Sequence, residues 1–148
     1  MVSWSFIIKS FSFAIIFVAT VATVLTVGPY LETRFFPVLD KLVIDEVTEI
    51  SPDMTAVRVH FNKRRNCDFL GITWYRGNRN GTTDGFYRVE LVLLRDPNDT
   101  SSPNRPIGYQ KAGPWQVAMP AKSIRTESFV DMYHSCNPFW TTRTEFYP

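Results

Sequence analysis

The sequence predicts a mainly β protein, a two-sheet sandwich of about seven or eight short strands preceded by one transmembrane helix. Three observations carry that expectation. No charged residue interrupts the chain between Lys9 and Glu32. Beyond this run, short stretches alternate apolar with polar residues and are separated by Gly, Pro, Asn and Asp. Two cysteines, Cys67 and Cys136, stand far apart in that second part.

The apolar run at 10–31 is rich in Ile, Val, Phe and Leu with interspersed Ala and Thr. Roughly 22 helical residues at about 1.5 Å each reach about 33 Å, enough to cross the hydrocarbon of a bilayer. Thr is tolerated there because its hydroxyl can bond a carbonyl one turn back. Trp4 and Tyr30 stand where interfacial aromatics lie, and Pro29 is expected to close the helix. A cleaved signal peptide would use Thr20 and Ala22 as its small-residue site, but the apolar run continues to Val27. A core helix of a soluble domain would carry a polar face, and this stretch has none. Ser12, Ala19, Ala22, Thr23 and Thr26 fall largely on one helical face, which suits close packing with a partner helix or a second copy.

Lys9 and the amino terminus are the only positive charges ahead of the run, whereas Glu32, Arg34, Asp40, Lys41, Asp45 and Glu46 follow it. The positive-inside rule then places residues 1–9 in the cytoplasm and the rest of the chain outside. Residues 32–41 read as a juxtamembrane linker in which Pro37 prevents further helix, and 42–148 as the extracytoplasmic domain. Roughly 115 residues remain after the anchor, one domain's worth and enough for a core. Apolar residues at 45% and aromatics at 15% fit a packed fold, and a net charge of +2 argues against nucleic acid as a partner. Outside the cytoplasm the two cysteines are expected to pair, closing a loop of about 70 residues for about 4 kcal/mol. An inverted topology would leave two reduced, buried thiols.

The strand readings follow in order. Residues 42–50 alternate loosely before a Ser51-Pro52-Asp53 turn. In 57–62, Val57, Val59 and Phe61 face one side and Arg58, His60 and Asn62 the other. A basic loop from Lys63 to Asn66 leads into 67–76, with Leu70, Ile72 and Trp74 on one face. Residues 77–85 are turn chemistry, and 86–95 return as a strand with Tyr87, Val89, Leu91 and Leu93 on one face, making 67–95 a long-tipped hairpin. Residues 96–106 read as an exposed loop, and 107–110, 115–119, 128–135 and 141–147 as further strands. The architecture expected is an immunoglobulin-like sandwich, with a small barrel as the alternative. Cys67, Trp74 and Cys136 occur in the order found in immunoglobulin domains, but Trp74 shares a strand with the first cysteine, so the hallmark geometry does not carry over.

The stretch His134-Ser135-Cys136-Asn137-Pro138-Phe139-Trp140 is the most unusual locally. A neighbouring His can activate a thiol, so Cys136 is either a nucleophile or ligand, or one half of a disulfide in a turn. Asp131 lies on an apolar strand beside Phe129 and Tyr133 and is expected to be exposed. Lys63, Arg64, Arg65, Arg76 and Arg79 lie on neighbouring turns of the hairpin, where they would form a solvated rim or meet anionic lipid or an acidic partner. Phe139, Trp140, Phe146 and Tyr147 form either a contact patch or ordinary core. Asn80-Gly81-Thr82 and Asn98-Asp99-Thr100 match the glycosylation sequon.

No nucleophile elbow, phosphate loop, paired-histidine motif or telling carboxylate pair is present, so no catalytic residue and no cofactor are expected. The reading that follows is a single-pass accessory or structural protein working through contacts with lipid, with other membrane or envelope proteins, or with itself. A redox or metal-handling protein using Cys67, Cys136, His60 and His134 is the second reading. A viral membrane or lysis accessory protein is the third.

Overall fold

The computed structural model describes residues 4–79, 85–94 and 102–147, the side chains of residues 5–7 excepted. Both sequons and most of the 96–106 loop lie outside the described residues. The chain forms two units, Met1–Phe36 and Pro37–Pro148.

The first unit is one helix, α1, Trp4–Phe35. Its stretch Ile8–Phe35 is long and apolar enough to cross a membrane, and side chains 8–27 are all exposed. Thr20, Thr23 and Thr26 donate to the carbonyls of Ile16, Ala19 and Ala22 at 2.8, 2.8 and 2.9 Å, which satisfies each hydroxyl within the helix. Pro29 does not close the helix as expected. It lies inside it, and the backbone stays helical through Glu32–Phe35, with the Phe36 N–H bonded to the Glu32 carbonyl at 2.8 Å. The expected linker at 32–41 is therefore short. Val38 and Leu39 are already core residues of the second unit, because burying two branched side chains outweighs leaving them in a tether.

The second unit is mainly β and consists of two antiparallel sheets. Its strands are β1 (Val43–Ser51), β2 (Met54–Lys63), β3 (Asp68–Gly77), β4 (Phe86–Arg88), β5 (Leu91–Leu93), β6 (Gly108–Val117), β7 (Ser128–Ser135) and β8 (Thr141–Phe146). One sheet runs β1-β2-β6-β5 and the other β4-β3-β7-β8. Between them lies a core that includes Val57, Val59, Trp74, Val117, Val130 and Met132. The alternation read for Val57, Val59 and Phe61 holds and runs further, from Thr55 to Lys63. Trp74 is fully buried, and its indole N–H donates to Ser128 Oγ at 2.9 Å, which in turn donates to the Ile124 carbonyl at 2.6 Å. That chain satisfies the polar edge of the largest core side chain.

Three strand readings need correction. The expected single strand at 86–95 is two, because the chain leaves the edge of one sheet after β4 and joins the edge of the other as β5, with buried Val89 at the crossing. The segments 107–110 and 115–119 belong to one strand, β6, which absorbs Pro114 in a bulge opposite Val57 and Val59. Gly113 makes that bulge with φ +104°, and a Cβ there would meet the Val57 carbonyl oxygen at 2.6 Å. Leu70 does not share a face with Trp74. A register shift between Phe69 and Gly71 leaves it exposed. A short helix, α2 (Ala121–Ile124), links β6 to β7 and buries Ile124.

Cys67 and Cys136 form a disulfide with Cα atoms 4.5 Å apart, directly beyond the paired residues Asp68 and Ser135 of β3 and β7. The bond joins residues 69 apart in sequence. In the chain-entropy account, constraining so long a loop in the unfolded chain contributes about 4 kcal/mol. Replacing both cysteines by serine is expected to lower the unfolding free energy by about that amount, measured by urea denaturation under non-reducing conditions.

Candidate functional site

The disulfide end of the sandwich gathers three connections: the β2–β3 loop, the described part of the β5–β6 connection, and the β7–β8 turn. Lys63 ties the first two. It continues the inward face of β2, is only 2% exposed, and donates from Nζ to the carbonyls of Cys67 and Arg105 at 2.8 Å each. Asn104 adds a second tie, accepting from the Phe69 N–H and donating to Asp68. Asn137 caps the β7–β8 turn by accepting from the N–H groups of Phe139 and Trp140.

Behind these loops lies a cavity of ≈ 180 Å³ between the sheets. Its walls include Leu39, Phe61, Phe69, Leu93 and Met132, and its polar groups include Lys63, His134 and Trp115. The architecture explains why the space exists. Among the described residues the edge strand β5 pairs with β6 from Val117 to Trp115, a bond from the Leu94 N–H to the Pro114 carbonyl follows, and no described strand pairs with β6 beyond it on that side. Across the gap, Phe69 and His134 stand opposite one another on β3 and β7 with rings 5.7 Å apart, edge to face.

The electrostatics of this space are one-sided. His134 is 2% exposed, and its Nδ1 has no hydrogen-bond partner, nor does the buried Nε1 of Trp115. Burial, with the nearby Lys63 charge adding to it, pushes the His134 imidazole down to about 4, so it is neutral at physiological pH. Burial likewise lowers the Lys63 ammonium, against the opposing pull of Asp68. No ion pair among the described residues includes Lys63.

A second buried polar cluster sits on the outer face of the β4-β3-β7-β8 sheet. Asp131 was expected to be exposed. It is fully buried, because Arg79, just past β3, folds back over the sheet and pairs with it at 2.8 Å. Arg79 also reaches Glu145 at 3.0 Å, and its guanidinium lies 5.1 Å from the Phe86 ring centre and 4.9 Å from that of Phe129. Phe129 stacks on Tyr75 at 4.8 Å and meets the edge of Phe86 at 5.2 Å. This face thus has a small apolar core of its own, sealed by one arginine.

The basic residues expected to line a common rim are dispersed. Lys63 is buried in the cavity wall, Arg64 pairs with Asp40 at 2.7 Å, Arg76 with Glu127 at 3.3 Å, and Arg79 with Asp131. Arg65 lies in the β2–β3 loop. His60 and His134 are not brought together. His60 is on the outward face of β2, paired with Asp45, while His134 points between the sheets. Both sulfurs are joined to each other. Among the described residues no group of three or more His, Cys, Asp or Glu side chains is placed to hold a metal ion. Of the terminal aromatics, Phe146 is core, Phe139 and Tyr147 are exposed, and Trp140 is half-buried with its ring 6.2 Å from that of Phe139. On α1, Ser12, Ala19, Ala22, Thr23 and Thr26 are exposed.

Sequence reasoning missed the cavity and the buried roles of Lys63, Arg79 and Trp115. One signal was available for Lys63, since it continues the period-two series of Val57, Val59 and Phe61. No protein-family model, curated protein or solved structure matches this chain.

Two predictions follow from these buried groups. Below pH 6.5 the unfolded chain binds a proton at residue 134 that the folded chain refuses until about pH 4. Stability is therefore expected to fall as pH drops through that window, by on the order of 3 kcal/mol, and His134→Gln is expected to flatten this part of the pH profile of unfolding free energy. Arg79→Met leaves Asp131 buried and short of its closest partner. It is expected to cost about 3 kcal/mol in denaturant unfolding, most of which the double change Arg79→Met with Asp131→Leu restores.

Proposed function

We propose that the chain is a single-pass membrane protein whose α1 stays in the bilayer and whose disulfide-closed domain, immunoglobulin-like in type, serves outside the cytoplasm as a non-catalytic interaction module. The observation that carries this reading is the pairing of a charge-free, fully exposed apolar stretch of helix with a separate packed β unit closed by a disulfide. An oxidised cysteine pair favours an extracytoplasmic compartment.

Support for the immunoglobulin-like type comes from strand order. With the eight strands lettered A, B, C, C′, D, E, F and G in chain order, the sheets read A-B-E-D and C′-C-F-G. A buried tryptophan on the third strand, Trp74, agrees with that scheme. The disulfide departs from it, joining C to F within one sheet in place of B to F across the two. In this scheme the Cys67 and Cys136 loops share the end of the sandwich that such domains use for recognition, and Phe139 stands there 71% exposed. The partner fitting this reading is another membrane or envelope protein, or a second copy of the chain.

A photo-crosslinking residue in place of Phe139, in the full chain in native membranes, tests the reading. The expected result is one discrete protein adduct that is absent when the crosslinker replaces outward-facing Lys111. Loss of that adduct, or equal labelling from both positions, overturns it. Labelling of Lys111 by an impermeant amine reagent in intact cells checks the orientation.

A further inference from the structure

We propose that the inter-sheet cavity is a binding site for a small apolar carboxylate, its hydrocarbon body between Phe61, Phe69 and Met132 and its carboxylate against Lys63 at the margin that Arg105 lines. Size, wall chemistry and polarity each narrow the ligand. A cavity of ≈ 180 Å³ is slightly larger than the roughly 150 Å³ apolar cavity known to admit benzene, so it suits one ring or a short branched chain carrying a small head. Much of the wall is apolar side chain, which excludes sugars and nucleotides as the body of the ligand.

The head is set by what the cavity leaves unpaired. Lys63 Nζ can only donate, and two of its three protons are taken by the carbonyls of Cys67 and Arg105, which leaves one N–H. Arg105, at the cavity's margin, adds a further cation, and no Asp or Glu is among the described residues that line the space. A cation with one proton left over, beside a second cation, calls for an acceptor-only group, and a carboxylate offers about four lone-pair sites. The Lys63 ammonium is buried and in no ion pair among the described residues, with Asp68 the nearby opposing charge, and an arriving carboxylate offsets the cost of that burial where a neutral guest does not. A phosphate dianion carries more charge than one ammonium balances and brings no apolar body for the remaining wall.

This inference is independent of the proposed membrane function, and its test separates the two. The full chain in lipid nanodiscs is titrated with benzoate, phenylacetate and toluene, with binding followed by the chemical shifts of the indole N–H of Trp115 and the methyl group of Met132. Benzoate or phenylacetate is expected to bind at least about tenfold more tightly than toluene, as charge-assisted hydrogen bonds require. Lys63→Met is expected to reverse that order. Met132→Trp, which fills the space from the wall, is expected to abolish binding of all three. Absence of saturable carboxylate binding to the wild-type chain, or equal affinity for toluene and benzoate, overturns the proposal, as does carboxylate binding that survives Met132→Trp.

Discussion

The end of the domain that carries its polar features depends on the covalent bond between Cys67 and Cys136. These residues extend β3 and β7 by one step beyond their last hydrogen-bonded pair, where two strands would otherwise splay. Fixing them there also fixes the Cys67 carbonyl, one of the two acceptors that make burial of the Lys63 ammonium tolerable. Lys63 in turn holds the Arg105 carbonyl, and with it the described part of the long β5–β6 connection. A break at the sulfurs thus propagates through one amine to the segment at the cavity's margin.

The cavity follows from a mismatch between the sheets. β7 runs the full depth of the sandwich, from Ser128 beside Trp74 to His134 beside the disulfide. On the facing sheet, β5 supports β6 for three residues only, and the bulge at Gly113-Pro114 shifts the register where the two strands part. Phe61, Phe69 and Met132 border the resulting space without filling it. Native interiors rarely keep voids of this size, because each lost contact forfeits dispersion energy.

The legible parts of the fold were those with a local signal. The apolar helix, the alternation at Val57, Val59 and Phe61 and the cysteine pair all follow from neighbours along the chain. What escaped depended on tertiary placement. Nothing near Asp131 in sequence indicates that Arg79 will return to cover it, so a carboxylate flanked by Val130 and Met132 reads as exposed. The split of 86–95 has the same origin, since one apolar alternation serves equally for a continuous strand and for a chain that changes sheets at Val89. Lys63 was legible by period and obscured by composition, standing first in Lys63-Arg64-Arg65, where charge suggests a loop. Trp115 and His134 carry no linear signal at all. Their meaning arises only when two sheets bring them to one space.

The two buried polar clusters of this domain differ in a way that separates structure from recognition. Around Asp131 the charges are balanced, with two arginines and two carboxylates within ion-pair distance and three aromatic rings excluding water. Three buried atoms of this set, Arg79 Nε, Asp131 Oδ1 and Glu145 Oε2, have no hydrogen-bond partner, but its charges are matched, and an added ion would have to break a pair to make one. Around Lys63 the charge is unmatched: the ammonium is in no ion pair among the described residues, it stands with Arg105 in the border of the cavity, and no carboxylate is among the described residues of that border. Burial that costs desolvation without returning a hydrogen bond persists where something else supplies the missing acceptor. The same fold therefore holds one polar cluster whose charges pair with one another and one buried cation whose charge is left for a guest to match.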